Sequence, residues 1–423
     1  MAVYQPRRAA IATILVAVMQ DDIREELLGR HKRGRTKEWI RRREEKGMYR
    51  LVEELRGEDT VAYKEMMRMN YETFSEILMA IEPEISKEQV IGGHKIIKPA
   101  VRLTLPLRFL ATGETFTSLH FQFRMGKATI SYIIREVCEA IWKILGPKYM
   151  SVPSTVEKWS EIANAFESRW QYPNCLGAID GKHINIRPPT GSGSYYYNYK
   201  HTHSVVLMAV AGPNYECLYA DVGTNGRIAD GGVFNKCSLL RCLEEGTLGI
   251  PGDKPLPFDE EPLPFVLLGD DAFALRPFLM KPFPQRKLTL EKRIYNYRHS
   301  RVRRLSENLF GIFANRWRVF LTTMMLAPSF VEVITLSALT LHNLLCSKKA
   351  SRQIYCPKGL TDEEDAETGE LIPGSWRSSA MQMSSLPIPS TGHNSSNKAK
   401  AVRDAFTEYF CNEASVPWQW ERC

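Results

Sequence analysis

The chain has 423 residues, 44% of them hydrophobic and 25% charged, enough to bury a sizeable core in roughly two to three units. Its net charge of +8 favours a polyanionic partner without specifying one. Nine scattered cysteines with no C-x-x-C exclude a zinc ribbon or a dense disulfide framework, and fit reduced thiols in an intracellular protein.

An apolar run at residues 9–19 follows Arg7 and Arg8. It is far too short to span a bilayer and lacks a convincing cleavage site, so it reads as a buried helix or strand, with a targeting segment or a gene-model artefact as the other reading. No other segment approaches a membrane span, and a soluble chain is expected. From Arg30 to Arg50 the sequence is densely basic (Arg30, Lys32, Arg33, Arg35, Lys37, Arg41, Arg42, Arg43, Lys46, Arg50), interleaved with Glu38, Glu44 and Glu45. Such a stretch is either a nuclear-import or nucleic-acid patch or a solvated helix face.

Residues 60–150 read as helical. Apolar spacing predicts helices over Asn70–Ile85, Val101–Leu110, Thr115–Phe123 and Lys127–Leu145. The last two are joined by Arg124-Met125-Gly126, a length that suits a helix-turn-helix. Ile130, Ile133, Ile134, Val137, Ile141 and Ile144 form an apolar stripe. That leaves Lys127, Thr129, Ser131, Tyr132 and Arg135 near the exposed start of the helix, where a recognition helix meets base edges. Any helical hairpin could carry the same pattern.

Beyond Pro153 the pattern turns to strands, predicted over Cys175–Ile186, Ser204–Ala211 and Glu216–Val222. A helix follows over Val233–Leu243, then a short buried strand over Phe265–Leu268, and amphipathic helices over Ser300–Trp317 and Val331–Leu345. Together these make an α/β arrangement with a mixed sheet. From Lys348 the chain reads as a partly flexible tail, linker-like over Ser384–Ser396, with a short helix returning over Ala399–Tyr409. The expected organisation is a basic segment (1–60), a helical DNA-binding region (61–150), an α/β domain (170–346) and the tail (347–423).

Three carboxylates stand where structure makes them expensive unless used. Asp180 interrupts an apolar strand, and Asp270 follows F-V-L-L-G at the carboxyl end of another, where α/β sheets place ligands. On the Ser300–Trp317 helix the core stripe is Val302, Leu305, Leu309, Ile312 and Phe313, and Glu307 projects away from it beside Arg303, Arg304, Gly311 and Ala314. Singly each reads as structural or solvated; together they supply the hard oxygen ligands that phosphodiester cleavage with two divalent cations requires. His201 and His203 are a weak zinc pair, read instead as strand surface.

The strings G-A-I-D-G-K-H (177–183), D-V-G-T-N-G-R-I-A-D-G-G-V-F (221–234), L-L-G-D-D-A-F-A-L (267–275) and S-E-N-L-F-G (306–311) resemble the PIF/Harbinger transposases and the nucleases derived from them. So do L-R-F-L-A-T-G (107–113), F-R-M-G-K-A-T-I-S (123–131) and V-P-W-Q (416–419). The resemblance runs from about Trp39 onward. It implies an RNase H-like mixed-sheet core preceded by an all-helical region with a helix-turn-helix-like pair. It assigns Asp180, Asp270 and Glu307 as the catalytic, metal-binding triad for Mg²⁺ or Mn²⁺, with Asp180 bridging two ions. Asp271 departs from the family pattern of one acid followed by a small residue, so it, Asp221 and Asp230 stand as alternative ligands or orienting groups. DNA, a Myb-like accessory protein, a homo-oligomer on DNA and a nuclear location (with the cytoplasm also open) follow from the same resemblance.

A basic strip leads towards Glu307: Arg286, Lys287, Lys292, Arg293, Arg298, Arg301, Arg303 and Arg304, with Tyr295, Tyr297 and His299 interleaved. It reads as a salt-dependent contact to the DNA backbone or as a solvated charged loop. The leading functional expectation is a metal-dependent DNA endonuclease or transposase. The alternative is a domesticated, non-cleaving DNA- or chromatin-binding protein, with a small-phosphoester hydrolase third.

Overall fold

The computed structural model describes residues 36–87, 96–286, 288–365, 367–379, 381–386 and 395–422, apart from the Asp230 side chain. The apolar run 9–19, Arg30, Lys32, Arg33, Arg35 and Lys287 lie outside the described residues.

The N-terminal half is helical for legible local reasons. Asn70 caps the helix Tyr71–Ile85 by accepting from Thr73 N at 3.1 Å. Pro99 opens the helix Pro99–Thr112, and Gly113, at φ 70°, closes it in the left-handed conformation. Phe116–Phe123 and Lys127–Tyr149 follow, joined through Arg124 at φ 51°. The expected stripe is buried except for Ile144, which is 37% exposed; Leu145 takes the core position instead. A helix over Val156–Trp170 went unread, because Trp159, Ala163 and Phe166 are its only fully buried positions and polar residues separate them.

Strands β1 (Cys175–Asn185), β2 (Ser204–Ala211) and β3 (Cys217–Asn225) form an antiparallel meander. Beyond the short hairpin of β4 (Lys254–Pro255) and β5 (Pro262–Leu263), β6 (Val266–Leu268) runs parallel to the first half of β1, and β7 (Leu279–Met280) parallel to β6. The sheet order β3-β2-β1-β6-β7 is the expected mixed sheet. Side chains alternate across it. The face carrying Ala178 and Ile184 packs on the long helices Leu290–Arg316 and Pro328–Ser347. The face carrying Leu176 and Ile179 packs on Val156–Trp170 and two short helices, Asp230–Phe234 and Ser238–Glu245. Those two replace the single helix expected over Val233–Leu243. Pro328–Ser347 is long and apolar enough to cross a membrane, yet 78% of its most apolar stretch is buried inside the protein, and it serves as a core helix.

Two expectations are corrected. The helix read as Ser300–Trp317 starts at Leu290, capped by Thr289, so most of the basic strip is helical and partly internal. The C-terminal segment is built into the fold wherever it is described: a helix Lys349–Tyr355, the hairpin β8 (Glu363–Glu364) and β9 (Leu371–Ile372), a 3₁₀ turn Ser375–Ser378, β10 (Ser384–Ser385) and, where a short helix was expected, the helix Asn397–Cys411. Its anchors, among them Trp376, Phe406, Phe410 and Gln419, are buried one at a time among polar residues, and residues 387–394, most of the stretch read as linker-like, lie outside the described residues.

Candidate active site

Asp180 lies mid-strand in β1, opposite Ala209 of β2, and is only 3% exposed. Its Oδ1 accepts from Gly181 N at 2.9 Å. Its Oδ2 faces Lys182 Nζ at 2.9 Å, without a donor aligned for a hydrogen bond among the described residues. Lys182, two residues on and therefore on the same face, also donates to Ser385 Oγ at 2.7 Å.

Asp270 stands just past β6. Its Oδ1 accepts from Ala272 N at 2.9 Å, and the preceding carbonyl of Gly269 accepts from His299 Nε2 at 2.8 Å. Gly269 has no room for a side chain, since a Cβ there would sit 2.8 Å from the Phe273 ring. His299 is fully enclosed, and burial pushes it down to about 4, so it stays neutral while it holds this turn. Burial, and then the neighbouring Asp180, raise the Asp270 carboxyl above its ordinary range.

Glu307 projects from the helix Leu290–Arg316 between two guanidinium groups, Arg303 at 2.5 Å and Arg377 at 2.9 Å. Burial raises its pKa, but Arg303, Arg377 and Lys182 more than offset that and hold it below the usual range. Arg303 is reciprocally held charged by Glu307, Asp180 and Asp270 against its own burial. All three carboxylates and all three cations line one cleft of about 300 Å³.

Much of the cleft's rim is the C-terminal segment. Arg377 is fixed by Asp362, whose Oδ1 accepts from Arg377 Nε at 2.7 Å and Gly374 N at 2.9 Å. Asn308 Oδ1 accepts from Asp362 N and from the Trp376 indole at 2.8 Å. β10 pairs with β1 at Lys182 and His183, on the edge that β6 leaves open. Sequence reasoning missed Lys182, Arg377, Asp362 and Trp376. Only the position of Lys182 two residues after Asp180 in a strand signalled its place.

Other candidates fall elsewhere. Asp221 pairs with Met208, and Met208 with Gly181, so its side chain lies on the sheet face opposite Asp180. There it contacts the Tyr219 hydroxyl at 3.4 Å, and cannot ligate an ion at Asp180. Asp271 stays outside the cleft lining while its carbonyl accepts from Lys281, and Asp230 has no described side chain. Arg298 is 1% exposed and donates to the carbonyls of Ala414 and Gln171 and to Gln419 Oε1. Arg301 and Arg304 both pair with Glu364. These three arginines brace the C-terminal segment and are not a free DNA-facing strip; Arg293 remains exposed. Lys127, Thr129 and Arg135 are exposed, as expected, whereas Ser131 is half-buried.

As the side chains stand, no three His, Cys, Asp or Glu among the described residues are gathered at metal-ligand separation, because the cations interleave with the carboxylates. The donor set still fits a hard divalent cation: three carboxylates on one cleft, with half-buried Asp270 feeling the charge of buried Asp180, and one Asp180 oxygen lacking an aligned donor. His201 and His203 acquire no third ligand among the described residues.

Residues 179–343 match the family described as DDE superfamily endonuclease, a span that holds Asp180, Asp270 and Glu307. Protein ALP1-like of Arabidopsis thaliana is 26% identical over 298 residues, covering 68% of this chain and 71% of that protein. The same plant's Antagonist of Like Heterochromatin Protein 1 is 23% identical over 296 residues, 68% of this chain and 74% of its own length. "Putative nuclease HARBI1" of Xenopus laevis is 24% identical over 253 residues, 59% of this chain and 68% of that one. No solved structure matches the chain.

Proposed function

We propose that the chain, whose residues 179–343 match the DDE superfamily endonuclease family, is a divalent-metal-dependent DNA endonuclease of the Harbinger-derived branch. One observation carries the reading. Three carboxylates from three separate elements meet in a single cleft, each beside a basic side chain or another of the three. Asp180, Asp270 and Glu307 would hold Mg²⁺ or Mn²⁺. Such ions, when bound, activate the attacking oxygen and neutralise charge on the phosphate. Lys182, Arg303 and Arg377 place fixed positive charge where a phosphodiester enters, which favours its binding and the charge that develops on its oxygens. The turn held by His299 keeps Asp270 aimed at the cleft.

We assign DNA contact to Lys127, Thr129, Ser131 and Arg135 at the start of the helix Lys127–Tyr149, and to Arg293 on the Leu290–Arg316 helix. A nuclear location, a Myb-like accessory protein and an oligomer on DNA complete the proposal; light scattering of the DNA complex tests the last. The decisive assay is nicking of supercoiled plasmid with Mg²⁺ or Mn²⁺ and with chelator. Metal-dependent nicking that Asp180→Asn abolishes is expected, with Mn²⁺ affinity reduced at least about tenfold. Equal nicking by that variant would sink the assignment, and DNA binding without metal binding would point to a non-cleaving protein.

A further inference from the structure

The connection between β1 and β2 carries a pattern that metal chemistry leaves unused. Over residues 195–203 every second position is aromatic or imidazole: Tyr195, Tyr197, Tyr199, His201, His203. The segment closes as a tight hairpin, with Tyr197 bridged to His203. Asn198, only 3% exposed, holds the turn. Its Oδ1 accepts from Lys200 N at 3.0 Å and Thr202 N at 3.1 Å, while its Nδ2 donates to Thr202 Oγ1 and Ser204 Oγ, both at 2.9 Å.

The rings are nevertheless turned to solvent. Tyr195 is 58% exposed, Tyr197 40% and Tyr199 47%, although open aromatic surface of this kind is normally buried. Tyr197 packs beside His201 and His203, with ring centroids 6.0 and 5.2 Å away, while Tyr199 lies against His183 and Tyr195 against Tyr196, so the hairpin presents a tray of separate ring groups. Arg187 and Lys200 stand exposed at its margins, and the Lys200 ammonium lies 5.7 Å from the Tyr199 ring. The tray starts at the lip of the cleft: the Tyr199 hydroxyl donates to the Ser385 carbonyl at 2.9 Å, and the Ser385 hydroxyl accepts from Lys182.

We propose that this hairpin is a stacking platform for an unpaired DNA strand leaving the cleft. Exposed rings held by a rigid turn and bordered by cations are what sequence-tolerant single-strand binding uses: bases stack on the rings while the cations follow the phosphates. Duplex DNA hides its base faces and has no use for the rings. The proposal rests on the endonuclease reading for its purpose, since a strand opened beside the scissile phosphate needs somewhere for its bases to go.

The test is fluorescence anisotropy with a labelled oligo-dT and, separately, a random-sequence duplex, both in chelator so that cleavage plays no part. The proteins are the full chain, Asp180→Asn, the pair Tyr195→Ala with Tyr197→Ala, and the same pair changed to Phe. Tyr199 is left in place because it is tied to Ser385. Oligo-dT affinity is expected to fall at least about tenfold in the alanine pair, with duplex affinity within about twofold and the phenylalanine pair close to wild type. If the alanine pair is unstable by melting temperature, Tyr195→Ala alone serves, its ring packing only against Tyr196 among the aromatic pairs described. An unchanged oligo-dT affinity, an equal loss for oligo-dT and duplex, or no oligo-dT binding by the wild type overturns the platform. Tyrosine-dependent oligo-dT binding in a protein that never nicks plasmid would retain the platform and discard the nuclease.

Discussion

At the level of single residues, the string S-E-N-L-F-G divides its labour within two helical turns. Glu307 enters the cleft, Asn308 accepts from the Trp376 indole and the Asp362 amide, and Gly311 leaves the space in which the Trp376 ring lies. A Cβ on Gly311 would sit 2.3 Å from that ring, so Gly311→Ala should displace Trp376 and Arg377 beside it. Overpacking of this kind costs about 1–3 kcal/mol, so the melting temperature should drop, and trypsin should cut near Arg377 at lower concentration. An unchanged melting temperature and digestion pattern would show that the ring has no fixed seat. A companion pair separates the acids. Asp221→Asn, on the far face of the sheet, should leave plasmid nicking within about twofold of wild type, whereas Asp180→Asn should abolish it. Loss of nicking in both would mean that Asp221 acts from the opposite face, against the observed register.

Among elements, the helix Leu290–Arg316 shows how charge can mislead a reading of sequence. Its arginines have two destinations. Arg293 is in solvent, while Arg298, pulled down to about 10 chiefly by burial, is boxed in by Gln171, Ala414 and Gln419. Arg298→Met strips a charge-assisted donor from two carbonyls and an amide oxygen and should destabilise the fold by about 2–4 kcal/mol in urea titration. Arg293→Ala should stay within about 0.5 kcal/mol of wild type but weaken DNA binding in a salt-dependent way. The opposite ranking would return Arg298 to the DNA-facing strip. Local signals did reveal much of this chain: apolar spacing and alternation mark real elements, and the helix starts read at Asn70 and Thr115 coincide with residues that cap them. The two aspartates were legible because a carboxylate at the middle or end of an apolar strand is conspicuous. The rest was hidden because it depends on partners distant in sequence: Arg377 matters through Glu307, Arg298 through Gln419, and β10 only as the neighbour of β1.

At the scale of the whole molecule, the units expected from sequence share one core, which runs from Val52 through the helices and sheet to Phe410. Two consecutive residues of Pro328–Ser347 staple it. Asn343 donates to Tyr149 O at 2.6 Å and Cys217 O at 2.8 Å while accepting from Cys217 N, joining the helical region to the sheet. His342 Nε2 donates to the Tyr215 carbonyl at 2.8 Å, and its Nδ1 accepts from the Tyr355 hydroxyl at 3.1 Å, joining sheet and C-terminal segment. Those partners suit the neutral ring. Burial first, and then the nearby Arg352, push His342 down to about 4. An unfolded histidine titrates near 6.5, so between these values the unfolded chain binds the extra proton. The contribution of His342 to stability is therefore complete above about pH 6.5 and is lost progressively as pH falls towards 4, up to roughly 3 kcal/mol. Because core and staples are shared, the loss should appear as a lower midpoint for a single cooperative transition. His342→Gln, which can keep one hydrogen bond but has no proton to gain, should unfold at a lower temperature than wild type at pH 7.5, and the gap should narrow at pH 5. Equal gaps at the two pH values would show that His342 is not the group that titrates, and two separated transitions would show that the helical region and the sheet fold independently.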